Sequence, residues 1–259
     1  MFRTSLFGFI LMTATAAVSQ NQAVSTETQS QSFARERLME MAGFLGNVPA
    51  FDVTLQVAYE VLQDSGQMIE FSERRQVSVQ RPYRVRVLEY TSHGENDMML
   101  FDGRNITSFN GSTGRYAQSR QPGTIDQTII HYVRDLKMRL PLAPLLMQGF
   151  NRELERRVLD IDYVEYTDIL ARPAHHIAAR TANVDFQVWI ADGKYPLPLR
   201  IVMNYRTEKG HPHFRADFYQ WDLSPDFNAD SFSFNPPAGA KRIPYAAQLL
   251  QLQNQGARP

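Results

Sequence analysis

The sequence predicts a mainly β fold with some helix: a curved antiparallel sheet of about eleven strands, an unclosed barrel with helices covering its concave side. Three observations carry this. Phe51 to Val61 alternates apolar and polar residues over a length that suits one long half-buried strand. Tight-turn signals then join further alternating runs, so consecutive strands are antiparallel neighbours. A single apolar, proline-broken stretch at 124–157 separates two groups of strands.

The chain has 259 residues, 27 basic and 27 acidic side chains, and no cysteine. Zero net charge argues against a nucleic-acid protein, whose footprint is a basic stripe. Without cysteine there are no disulfides, thiolate nucleophiles, iron–sulfur clusters, cysteine zinc sites or lipoprotein anchor. Met1-Phe-Arg3 followed by the uncharged run Leu6–Val18, with small residues at Ala17 and Ser19, reads as a signal peptide over 1–19 cut after Ser19. The alternative is an uncut anchor. A periplasmic location follows from this reading, since a good-sized core needs no disulfide staples.

Residues 20–31 form a polar leader. Ser32 is placed to cap a helix over Phe33–Leu45, with Phe33, Leu38, Met41, Phe44 and Leu45 on one face, ended by Gly46, Asn47 and Pro49. The strand at 51–61 sends Val57 and Tyr59 to one side. Asp64-Ser-Gly66 turns the chain into a second strand carrying Ile69, Phe71, Val77 and Val79 on one parity. Pro82 breaks it, and Tyr83–Tyr90 makes a third through Val85 and Val87. Turns at His93-Gly94, Asp102-Gly103 and Asn110-Gly111 bound strands at 97–101, 105–109 and 114–119.

Thr124 or Asp126 can cap a helix to about Arg139, with Ile129, Ile130, Val133 and Leu136 at helical spacing. Pro141 and Pro144 interrupt the almost wholly apolar run 140–150, and a short polar helix follows at 151–157. Strands return at 158–170, 174–182, 184–191, 197–206 and 212–223. That many long strands curl. Residues 32–245 read as one domain with 124–157 inserted as a helical lid, and 246–259 as a polar tail.

Near the end, Trp221-Asp-Leu-Ser-Pro225 leads into Phe227, Asp230, Phe232, Phe234, Pro236, Pro237 and Gly239. An aromatic strand, a polar turn and a closing F-x-F-x-P-P-x-G resemble the C-terminal part of LolA/LolB-like lipoprotein carriers. They resemble still more the predicted periplasmic proteins of unknown function placed near those carriers. The resemblance implies an unclosed barrel under a helical lid, with a greasy cavity that shields acyl chains. The carriers hold their lid shut with an Arg, and the motif assigns that role to no residue of this chain.

Candidate chemistry is sparse. His175-His176 and His211-Pro-His213 have metal-ligand character on paper, but turn residues explain them as well; Asp160, Asp162 and Glu165 read as a solvated strand face. There is no nucleophile elbow, P-loop or dinucleotide fingerprint. No enzyme, metal or cofactor is expected; a hydrolase would require His175, His211 and Asp217 to meet in a cleft. The expected function is non-catalytic binding of a lipid or lipoprotein acyl chain, by a monomer that meets an envelope partner protein and touches a membrane transiently. The expected cavity residues are Val57, Tyr59, Phe71, Val85 and Val87 on the first strands, and Phe186, Val188, Ile201 and Met203 on the later ones. From the lid come Ile129, Val133, Met138, Leu142, Leu145, Leu146 and Met147. Leu146→Glu should then lose lipid while folding normally; if Leu146 is core instead, the variant should fail to fold. The alternatives are an insert that plugs the barrel as fixed core, and an envelope interaction module with a filled interior.

Overall fold

The computed structural model describes residues 27–90, 96–138 and 140–246. The signal-peptide reading, the His93-Gly94 turn and the tail beyond residue 246 lie outside the described residues. The first helix, α1, spans Gln29–Asn47 and starts earlier than its sequence reading. Thr28, not Ser32, is the cap: its hydroxyl accepts from the Gln31 backbone N–H while the Gln31 side chain reaches back to the Thr28 N–H. Thr28→Ala should cost about 1 kcal/mol in denaturant unfolding. Ser32→Ala, inside the helix, should cost nothing. The buried stripe of α1 is Ala34, Leu38, Met41, Ala42, Leu45 and Gly46, whereas Phe33 is exposed and Phe44 half-buried. Small residues face inward because the helix lies close on its neighbours: a Cβ on Gly46 would come within 2.7 Å of the Gln148 carbonyl oxygen.

Six strands follow as a meander: β1 (Ala50–Leu62), β2 (Met68–Gln80), β3 (Arg84–Tyr90), β4 (Asn96–Phe101), β5 (Asn105–Asn110) and β6 (Arg115–Arg120). After the insert come β7 (Asp160–Ile169), β8 (Arg172–Arg180), β9 (Val184–Ala191), β10 (Pro198–Tyr205) and β11 (His213–Asp222). A twelfth strand, β12 (Lys241–Ile243), is too short to signal itself in the sequence, and it pairs parallel to β6. All belong to one sheet in the order β12-β6-β5-β4-β3-β2-β1-β11-β10-β9-β8-β7. The two meanders are thus welded at the centre by β1 against β11, with Val57 opposite Ala216 and Tyr59 opposite Phe214.

This order dictates the insert's path. β6 ends near one margin of the sheet and β7 begins at the other, so residues 121–159 must cross the whole concave face. The insert contains α2 (Ile125–Ile130), a π-helical turn over His131–Asp135, a 3-10 turn over Ala143–Leu146 and α3 (Phe150–Arg157). Thr124 caps α2 through a second capping box with Gln127. Asp126 instead accepts from the backbone N–H groups of Gln148 (2.9 Å) and Gly149 (3.1 Å), tying the far end of the insert to α2.

The C-terminal motif also has a topological job. From the central β11 the chain must reach the β6 margin, and it does so over the outer face. There Phe234 packs on Phe109 and Tyr116, with ring centroids 5.7 and 5.3 Å away, and Phe232 is buried.

Candidate functional site

The site is the concave face beneath the insert. Cross-strand register sets its composition: Phe51, Val53, Leu55, Val57 and Tyr59 of β1 lie opposite Val79, Val77, Arg75, Glu73 and Phe71 of β2. Val77 and Val79 continue to Val87 and Val85 on β3. On the other side Phe214 meets Met203, which meets Phe186, and Ala216 meets Ile201, which meets Val188. The inner wall is oily over most of its area and carries one charged patch.

Against this wall lies the run from Leu140 to Met147. The chain enters it through Lys137 (φ 57°) and bends within it at Leu142 (φ 64°), both in the left-handed region that non-glycine residues enter at a cost of about 1–2 kcal/mol. Arg81, at the end of β2, holds it down. The guanidinium donates to the carbonyl of Leu146 in the insert, to Leu45 at the end of α1 (2.9 Å) and to Val48 (3.1 Å). Burial lowers the Arg81 pKa to about 10, with Asp126 opposing the shift, so the group stays cationic at neutral pH. One side chain therefore fastens insert, helix and sheet. Sequence reading missed it because Arg81-Pro82 registers only as a strand break.

The insert nearly fills the space directly below itself: the void among Leu55, Val77, Val87, Leu146 and Trp221 measures about 40 Å³. Open space lies to its sides. An apolar cavity of about 180 Å³ is lined by Leu142 and Leu145, by Leu38 and Met41 of α1, by Phe150 and Leu154 of α3, and by β9 and β10. Across the insert a groove of about 520 Å³ runs beside Tyr132, Met138 and Tyr245. A third space of about 290 Å³ opens at the rim near Tyr59 and Phe214.

The sixteen residues expected from sequence distribute unevenly over these spaces. Leu142, Leu145, Phe186, Val188, Ile201 and Met203 line the 180 Å³ cavity together. Val87 and Leu146 line the small void, Met138 the groove and Tyr59 the rim space. Val57, Val85 and Ile129 are buried core, and Met147 is half-buried against it. Phe71 is exposed, its ring stacked on Tyr59 with centroids 5.9 Å apart. Val133 is exposed as well. The inward position belongs to Tyr132, whose hydroxyl meets Ser108 at 3.1 Å, a partner that hydropathy does not reveal.

The charged patch consists of Glu73, Arg75 and Glu89. Arg75 bonds the Glu73 carboxylate and lies 3.2 Å from Glu89. Burial pushes the Glu89 carboxyl above its ordinary range, and Arg75 pulls it back. These residues stand on the inward parity of β2 and β3, and two charges interrupting an apolar parity were a legible signal.

The histidines do not converge. His175 sits on the concave face among Phe33, Tyr163 and Tyr166, while His176 points to the outer face and stacks on Trp189 at 3.9 Å. Asp217 shares the outer face, by the register Asp217–Arg200–Trp189–His176, and pairs with Arg200 and Arg215. His211 occupies the β10–β11 turn, and His213 bonds Glu60 on the neighbouring strand rather than Asp217. His175 and Asp217 thus lie on opposite sides of the sheet. Among the described residues no group of three or more His, Asp or Glu side chains is arranged to hold a metal ion.

A family model described as "Predicted periplasmic protein (DUF2092)" matches residues 34–246. Similar solved structures include an uncharacterized conserved protein from Thermus thermophilus, 11% identical with a TM-score of 0.48, covering 82% of this chain and 99% of that one. A LolA superfamily protein from Nitrosomonas europaea is 13% identical with a TM-score of 0.42, covering 80% and 99%. The lipoprotein LppX from Mycobacterium tuberculosis is 13% identical with a TM-score of 0.47, covering 76% and 99%. No curated protein matches the chain.

Proposed function

This chain belongs to the DUF2092 family of predicted periplasmic proteins, and on that premise we propose that it is an exported, non-catalytic carrier of a hydrophobic ligand, a lipid or the acyl part of a lipoprotein. The observation that carries the reading is an apolar insert laid over an oily concave sheet, fastened by Arg81 and flanked by an apolar cavity. The cavity of about 180 Å³ is below the roughly 300–1,000 Å³ usual for small-molecule sites. Loading of this cavity therefore requires the insert to lift. Leu142, Leu145 and Leu146 then leave the wall, and a hydrocarbon chain takes their place, gaining about 0.8 kcal/mol per buried methylene. The left-handed Lys137 and Leu142 relax as the insert rises, which offsets part of the cost of opening.

Native mass spectrometry of protein isolated from the periplasm should show co-purifying lipid. Met203→Trp, which fills the cavity from β10, should weaken uptake of a fluorescent fatty acid about tenfold, the equivalent of two displaced methylenes. A lipid-free mass together with no uptake by the unaltered protein would sink the carrier reading. A second reading, an envelope interaction module with a filled interior, draws on the small void directly below the insert. It expects that lipid-free result.

A further inference from the structure

The polar part of the concave wall lies where the insert turns over Leu140 and Pro141. Glu73 and Arg75 have side chains only 8% and 9% exposed. Taking such ions out of water is costly, and apolar residues of similar size generally serve a fold as well or better. Their neighbours on the same face, Val57 and Val77, show what this sheet uses elsewhere. The charges face the rim space of about 290 Å³, which is also walled by the rings of Tyr59, Tyr205 and Phe214 and closed on the insert side by Pro141. Glu60 and His213 also border it, but their side chains stand on the opposite parity of β1 and β11 and bond each other there. Two carboxylates, Glu73 and Glu89, thus meet one guanidinium between aromatic faces. Aromatic faces attract ammonium groups, and carboxylates give them charge-assisted hydrogen bonds.

We propose that this space receives the positively charged amino head of an amphiphile whose hydrocarbon part occupies the neighbouring apolar cavity. The two spaces are joined by one cross-strand row: Phe186 on β9, Met203 on β10, Phe214 on β11 and Tyr59 on β1. Phe186 and Met203 line the apolar cavity, and Phe214 and Tyr59 line the rim space. Three strand spacings separate the ends of the row, about 14 Å. A chain lying along it has its head at the carboxylates. A carboxylate or phosphate head would meet net negative charge there. The inference rests on the carrier reading and adds the class of ligand.

The test compares dodecylammonium, dodecanoate and uncharged dodecanol, each below its aggregation limit, as competitors for a bound fluorescent probe on protein purified from the periplasm. Dodecylammonium should bind at least about tenfold more tightly than dodecanoate, and Glu89→Gln should remove most of that preference while leaving dodecanol unchanged. Glu73→Gln, at the other carboxylate of the patch, should reduce the preference in the same direction, and thermal melts of both variants should show an intact fold. Equal affinity for the two charged heads, or a preference for dodecanoate, overturns the amino-head assignment alone. Loss of all three ligands equally in both folded variants overturns it too. Failure of every probe to bind the unaltered protein removes the carrier reading and this assignment together.

Discussion

Arg81→Met should unlatch the insert without unfolding the sheet. The guanidinium serves the carbonyls of Leu45, Val48 and Leu146 at once, and a methionine of similar length serves none of them. Hydrogen bonds to charged groups contribute about 1.5–3 kcal/mol each. Removing the cation also removes its desolvation cost, so closure should weaken by a net of about 2–4 kcal/mol. By hydrogen exchange, the amides of Leu145 and Met147 should lose roughly 30- to 1,000-fold of their protection. Those of β1 and β2, whose ladder runs unbroken from Ala50–Gln80 to Leu62–Met68, should not change. Arg81→Lys should restore little, because an ammonium cannot address three carbonyls set in a fork. Unchanged exchange at 140–147 in Arg81→Met would show that apolar packing alone keeps the insert down.

Leu146→Glu should be among the most damaging single changes in the chain, by the route the sequence reading reserved for a core residue. Leu146 is 5% exposed and belongs to the main core cluster, and its own carbonyl is held by Arg81. A carboxylate there has lost water and gained no partner, so the expected cost is several kcal/mol and the variant should fail to fold stably rather than fold and lose lipid. The sign with pH follows. Burial raises the folded-state pKa of the new carboxyl above its unfolded value, so the folded state holds its proton more tightly. The damage is then greatest at neutral pH and shrinks as the pH falls toward the unfolded pKa. Leu146→Met, which conserves volume, should cost less than about 1.5 kcal/mol. Urea melts of the two variants at neutral and acidic pH decide the matter. A Leu146→Glu protein as stable as the parent would mean that the insert stands open in solution.

The two expectations show where sequence reading stops. Strand positions were legible where one face of the strand is polar in sequence: β1, β9 and β10 alternate in this way, and the observed bounds differ from the expected ones by a residue or two. Tyr132 and Val133 mark the other limit. Hydropathy favours valine as the inward residue, yet tyrosine goes in because Ser108, twenty-four residues away, supplies a partner for its hydroxyl. Arg81 illustrates the same thing for function. Its three acceptors come from α1, from the loop after it and from the insert, far apart in sequence, and no local pattern can announce that they meet.

Alternation and turn chemistry, which act between near neighbours, determined on their own that this chain forms two antiparallel meanders separated by an apolar insert. The tertiary structure decided how the meanders join, and with that everything about the site. Pairing β1 with β11 puts β6 and β7 at opposite margins, which forces the insert across the concave face. It also brings Phe186, Met203, Phe214, Tyr59 and Glu73 onto one wall and carries Leu146 to Arg81. Those are contacts between residues tens of positions apart, made by strand register and by the search of buried polar groups for partners.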